Sequence, residues 1–317
     1  MTKEEKFKIN HIWSLLKETG IQWNKNQPFR LSAVVAYYAI ISLPGLLVII
    51  VNSVGAIWGP EIVQGELHGE FSKALGEEAA NSIESMIGDV MKEGRGIIST
   101  IIGIATLLFG ATGVFYQLQL SLNEVFRIKQ KEETGIKKLA IDRARGFGFI
   151  LVVGFLLLIS FVLTAALSAL SNFIQNSFPD ILLYLARTLD VILSLGVISV
   201  LFALMYKYLP DAKVKWKTVW IGAVLTAVLF AIGKFLLGYY FGKADPGSTY
   251  GAAGSIVLIL LWVSYSCLIL FFGAQFTSVY ANRYGHGIEA SSNAVRYQKK
   301  VEFAEEKAVG AGSEQEK

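Results

Sequence analysis

Long apolar blocks alternate along the chain with short polar connections, and the blocks are too long for the helices of an ordinary soluble core. Read in windows of about 19 residues, apolar runs cover residues 30–58, 97–126, 144–175, 181–207, 218–242 and 251–282. Each exceeds the ~20 residues that a helix rising ~1.5 Å per residue needs to cross a ~30 Å hydrocarbon layer. The pattern predicts an all-α integral membrane protein with six transmembrane helices. Ahead of the first run, residues 3–19 set Ile9, Ile12, Trp13 and Leu16 at helical spacing among Lys3, Lys6, Lys8 and Lys17. That is the pattern of an amphipathic helix lying on a lipid surface, with a partner-binding helix as the other reading. Between the first two runs, Ala79, Ile83, Met86, Ile87 and Val90 recur at three- and four-residue steps. They predict an amphipathic helical segment on the outer face within residues 59–96.

Lysine and arginine sort by segment and orient the chain. Twenty-three lie in residues 1–30, 127–145, 207–217 and 283–317, against four in residues 59–96, 176–186 and at Lys243. By the positive-inside rule both termini face the cytoplasm. Residues 1–28 then form a cytoplasmic amphipathic segment, 29–282 a six-helix transmembrane domain, and 283–317 a cytoplasmic tail whose end, VGAGSEQEK, is predicted to be disordered. Composition agrees: 53% of residues are hydrophobic, 17% are charged and the mean hydropathy is +0.50. The net charge of +4 needs no nucleic-acid partner, because the cytoplasmic loops account for the basic residues. The first apolar run is too long for the core of a cleaved signal peptide and is expected to act as an uncleaved insertion signal.

Three charges sit inside the apolar runs, where each costs at least ~2.5–3.5 kcal/mol unless it meets a partner or water. Arg187 and Asp190 stand three residues apart on one face of the fourth span, and Lys234 lies in the fifth. Counted from the ends of their spans, all three belong to the outer half. The expected arrangement pairs Asp190 with Lys234 across the fourth and fifth spans, with Arg187 toward the outer mouth. Snorkelling of Arg187 and Lys234 to the interface is the competing account. In the second span Gly113, Gln117, Ser121 and Glu124 step by four, four and three and form one polar stripe, which must face helices or water. Arg187, Asp190, Lys234, Gln117 and Glu124 are therefore the candidates for a translocation cavity. Pro44, followed by Gly45, removes a backbone bond within the first span, and a kink or break is expected there. In the fifth span Ala223, Ala227 and Ala231 give the small-residue spacing of close helix contact.

Enzyme chemistry finds no support in the residues. His11, His68 and His286 fall in three separate segments, so no histidine metal site suggests itself, and no cofactor is implied. Ser14-Leu15-Leu16-Lys17 matches the S-x-x-K string of serine acyl enzymes without its companion motifs. No P-loop occurs, and the lone cysteine, Cys267, excludes an intramolecular disulfide.

Ala36-Tyr37-Tyr38 with Ser42-Leu43-Pro44, Gly113 through Leu122-Asn123 and Phe126, and Tyr206-Lys207-Tyr208-Leu209-Pro210 followed by Val214-Lys215-Trp216-Lys217 resemble stretches of the BrkB/YihY family of bacterial inner-membrane proteins, formerly filed as ribonuclease BN-like. Gly222-Ala223, Gly233-Lys234, Tyr239-Tyr240, Ser248 to Gly254, Trp262 and Gly273-Ala274-Gln275 complete the likeness, which covers most of residues 29–282. The resemblance implies six spanning helices in a bacterial cytoplasmic membrane, a link to envelope integrity and serum resistance, and for some members export of lipid or lipopolysaccharide precursors. It implies no catalytic residue set, and ribonuclease activity is not expected. Two functions stand: a transporter or lipid and envelope-precursor translocator with a polar intramembrane cavity, its partners being membrane lipids, anionic lipid or a lipopolysaccharide precursor; or a non-transporting envelope-integrity scaffold.

Overall fold

The computed structural model describes residues 11–58, 81, 84–85, 97–131, 146, 148, 181–244, 254–285 and 287–297, with the helical stretches 46–58, 97–100 and 181–190 described by their backbone alone. The span expected over 144–175 and the outer segment 59–96 lie outside these residues, apart from single helical positions. Six helices appear among the described residues: α1 (Ile12–Lys25), α2 (Pro28–Trp58), α3 (Ile97–Val125), α4 (Ile181–Tyr208), α5 (Trp216–Ala244) and α6 (Gly254–Tyr284). Within the last three, Val191–Tyr208, Trp216–Phe241 and Ile256–Tyr284 are long and apolar enough to cross a membrane. Along α5 an exposed stripe of Val224, Val228, Ile232, Phe235 and Leu236 runs between Trp220 and Tyr239. Those 19 steps rise roughly 28 Å, the depth of a hydrocarbon core, and put amphipathic rings at both of its edges.

α2 runs helical without interruption through Pro44 and Gly45, so of the kink or break expected there the chain makes no break. α3 packs antiparallel on it. Gly110 stands so close to Ser42 that an added methyl group would meet the Ser42 Cα at 2.6 Å, and Gly113 lies against the ring of Tyr38. At the far end of the same interface Arg30 Nη2 lies 3.2 Å from Glu124 Oε1. Two members of the polar stripe thus meet α2, a glycine that admits a tyrosine ring and a carboxylate held by arginine, while Ser121 is fully buried.

α6 is the central helix, packing against α1, α2, α3 and α5. Its crossing with α5 is reciprocal: Gly222 faces Thr277, and Gly273 faces Thr226 and the Tyr206 hydroxyl. Each threonine bonds back to a carbonyl of its own helix, Thr226 Oγ1 to Gly222 at 2.7 Å and Thr277 Oγ1 to Gly273 at 2.8 Å. Hydroxyls thus spend their hydrogen bonds locally, as apolar surroundings require. Tyr206 of α4 closes the junction, donating to the Leu270 carbonyl at 2.9 Å and lying 2.9 Å from Thr226 Oγ1.

The N-terminal helix is docked on protein along one face. Leu15 packs against Phe276 and Val279 of α6, with Ile221 and Leu225 of α5 beside them. A polar chain completes the joint: Asn26 donates to Gln275 at 2.8 Å, Gln275 to Gln22 at 2.9 Å, and Gln22 to Glu18 at 2.9 Å. Trp13 remains 77% exposed, with Ile12 and Ile21 also outward. The buried face is centred on Leu15 and Thr19, a rotation away from the Ile12/Trp13 stripe on which the lipid-surface reading rested.

At the end of the bundle that carries α1, two short antiparallel strand pairs close the fold, a feature the helical periodicity did not predict. β1 (Ile128–Gln130) pairs with β4 (Ala294–Arg296), Lys129 opposite Val295, and β2 (Ala212–Lys213) pairs with β3 (Glu289–Ala290), Lys213 opposite Glu289. Residues 287–297, assigned from sequence to a polar tail, fold back as part of this plate, and the final segment 298–317 lies outside the described residues. Arg127 turns the chain from α3 into β1 with a φ of 57°. The plate is fastened at Asp211, in the turn between α4 and α5. Its Oδ2 accepts from Gln119 (3.1 Å), Asn123 (2.9 Å) and Gln130 (2.6 Å), its N–H donates to Asn123 Oδ1 (2.8 Å), and its carbonyl accepts from the Ser291 N–H.

Two stability predictions follow from these joints. Gly273→Leu overfills the α5–α6 crossing and is expected to cost about 1–3 kcal/mol or more. Gly196→Ala, at a glycine with open space around it, is expected to stay within ~0.5 kcal/mol; thermal unfolding in detergent followed by tryptophan fluorescence distinguishes them. Asp211→Ala strands three amide groups, should cost about 1–3 kcal/mol, and should speed trypsin cleavage after Lys213 and Lys215, with Asp211→Asn intermediate.

Candidate functional site

The site is built by the way α4 and α5 meet. Toward the strand-bearing end they are tightly packed: Phe202, Ala203 and Tyr206 of α4 bury against Val219, Ala223 and Ala227 of α5, and Phe202 meets Phe230 edge to face at 5.8 Å. The alanines at four-residue spacing permit this contact, since a methyl group lets the helix backbones approach. Beyond Phe230 the two helices enclose a groove of about 590 Å³, open on one side. Ser194, Leu195 and Ile198 form its α4 wall, and Ala231, Lys234 and Gly238 its α5 wall. Its size falls within the ~300–1,000 Å³ of small-molecule sites. Its walls are mainly apolar, with Ser194, Lys234 and Tyr239 as the residues that carry polar side-chain groups.

Of the five residues singled out for a cavity, the structure places Lys234 in this groove. Gln117 is half-buried on α3 and Glu124 is held at the Arg30 contact; neither is among the residues that line this groove. Gly113 and Glu124 of the same stripe lie against α2. Arg187 and Asp190 belong to α4, but their side chains lie outside the described residues, as does the expected Asp190–Lys234 pair. Val191, the neighbour of Asp190, lines the same groove as Lys234. Among the described residues no three of His, Cys, Asp and Glu come together.

The sequence reading overlooked the amide groups. Gln119 and Asn123, four residues apart, form a second polar stripe on α3 that reaches Asp211, and Gln275 ties α6 to the N-terminal helix. The signal was the recurrence of amides at helical spacing in apolar surroundings. Close by, burial pushes the Tyr297 phenol up, the Glu124 carboxylate adds to the shift, and Arg127 opposes it.

Comparison with known proteins bears on this geometry. A family model described as "Virulence factor BrkB" matches residues 21–298. A UPF0761 membrane protein of Verminephrobacter eiseniae is 27% identical over 56% of this chain and 40% of its own length. One of Pseudomonas aeruginosa is 27% identical over 75% and 54%, and one of Tolumonas auensis 37% over 30% of each chain. The matched segments thus span about half or less of these relatives' length. No solved structure matches. A match that begins within α1 and ends just past β4 takes in the docked N-terminal helix, the groove and the strand plate together, and on that ground this chain belongs to the BrkB/YihY family of membrane proteins.

Proposed function

We propose that this protein is a multi-pass protein of the bacterial cytoplasmic membrane that translocates an anionic lipid or lipopolysaccharide precursor along the groove between α4 and α5. In this reading α2, α3, α4, α5 and α6 supply five spans and residues 144–175 the sixth. Both termini and the strand plate are cytoplasmic, which matches the lysine and arginine asymmetry. The groove then lies in the outer half of the bilayer.

The observation that carries the proposal is a cation set in the wall of an apolar groove. A cation in that wall is a polar point on an otherwise apolar surface, and charged groups at membrane depth mark polar pathways. An acyl chain suits the walls formed by Leu195, Ile198 and Phe235, and an anionic head group suits Lys234. Positions 187, 190, 191, 194, 195 and 198 recur at three- and four-residue steps, so Arg187 and Asp190 occupy the next turn of the α4 stripe that forms the wall. The proposed role is translocation without covalent chemistry, and it calls for no nucleic acid.

The test is flux of fluorescent anionic lipid in vesicles holding the purified protein. Lys234→Ala removes a charge-assisted contact of about 1.5–3 kcal/mol and should slow flux about ten-fold or more. Lys234→Arg should retain it, and Ala231→Trp should block it by filling the groove. Flux no greater than in protein-free vesicles, or the same in every variant, would reject translocation and favour an envelope scaffold.

A further inference from the structure

We infer that the strand-bearing end of α5 is a docking surface for the head groups of acidic phospholipids, independent of what the groove carries. The surface is a product of local alternation. Ala212 and Val214 are buried, so the extended chain between α4 and α5 turns Lys213 and Lys215 outward. Lys217 follows, also exposed. Trp216 and Trp220, one helical turn apart, are both exposed, as is Tyr208 at the end of α4. The rings are held in place: Tyr208 meets Trp216 edge to face at 6.0 Å, and Lys207 Nζ stands 5.7 Å from the Trp216 ring centre while donating to the Val214 carbonyl.

Charge favours an anion. No aspartate or glutamate occurs from Ala212 to Ala244. Asp211 is engaged by three amide groups, and Glu289, opposite Lys213, offsets one positive charge. Position favours a lipid as the source of that anion. Trp216 and Trp220 begin the exposed stripe that continues through Val224 and Val228. A phosphate at Lys213, Lys215 and Lys217 therefore has its acyl chains directed along an apolar face of matching depth, with the indoles between them at head-group level. In the proposed topology this is the inner leaflet.

The test measures lipid retention by the full chain in detergent, using native mass spectrometry with phosphatidylglycerol, phosphatidylcholine and inorganic phosphate as separate probes. Wild type should hold phosphatidylglycerol in preference to phosphatidylcholine. Replacing Lys213, Lys215 and Lys217 together by Gln should weaken phosphatidylglycerol binding about ten-fold and leave phosphatidylcholine unchanged, while replacement by Arg restores the preference. Equal retention of the two lipids by wild type overturns the inference, and so does unaltered phosphatidylglycerol binding in the Gln variant. Displacement of phosphatidylglycerol by inorganic phosphate at similar concentration also overturns it, by marking a site for the free ion. If the triple Gln variant does not fold, Lys215→Gln and Lys217→Gln are read singly, and phosphatidylglycerol binding unaltered in both overturns the inference.

Discussion

The architecture depends on helix backbones approaching more closely than ordinary side chains allow. In a bilayer the lipid is as apolar as the helix, so burial of leucine supplies little reason for one helix to seek another. Gly110 and Gly113 let α3 settle on Ser42 and Tyr38 of α2, and the Gly222/Thr277 and Gly273/Thr226 pairs interlock α5 with α6. The threonines contribute shape here, because their hydroxyls are already bonded within their own helices. Tyr206 then joins α4 to this crossing by donating to the Leu270 carbonyl, with Thr226 Oγ1 2.9 Å from its hydroxyl, in a fully buried position.

Among the described residues, polar contacts gather at one end of the bundle and the groove lies toward the other. At the strand plate, Asp211 gathers amides from α3 and β1, and the backbone of its own turn bonds to Asn123 and Ser291. A carboxylate that accepts several N–H groups binds a loop to its neighbours more firmly than a surface ion pair. At the other end, among the described residues, α4 packs chiefly against α5, and the groove forms where their alanine and phenylalanine contacts stop.

The polar residues turn out to serve three different purposes. Gln117, Ser121 and Glu124 lie on a stripe that looks from sequence like the wall of a channel, yet Gly113 and Glu124 on it are taken up by α2. Lys234, on a helix with less conspicuous polarity, is the residue that reaches a groove. The amides of Gln22, Asn26 and Gln275 form a third group, which fixes the N-terminal helix to α6 and gives that segment a protein-facing side as well as the exposed Trp13. Amphipathic spacing shows that a face is buried; it does not say whether lipid or protein buries it.

The sequence by itself determined the membrane class, the helical runs later seen as α2 to α6, and the small-residue positions along α5, because bilayer thickness and backbone hydrogen bonding leave a long apolar run one stable form. Family membership was legible for a related reason: Tyr206 and the Gly273 to Gln275 stretch lie at tight, buried junctions, where few side chains fit. Only the tertiary structure decided which polar stripe meets a helix and which meets a groove. It alone revealed that Asp211 is the anchor of the plate and that residues 287–297 pair with distant strands. Each of these depends on partners far apart in the chain, such as Asn123 with Asp211 and Lys129 with Val295, and local periodicity carries no record of such partners.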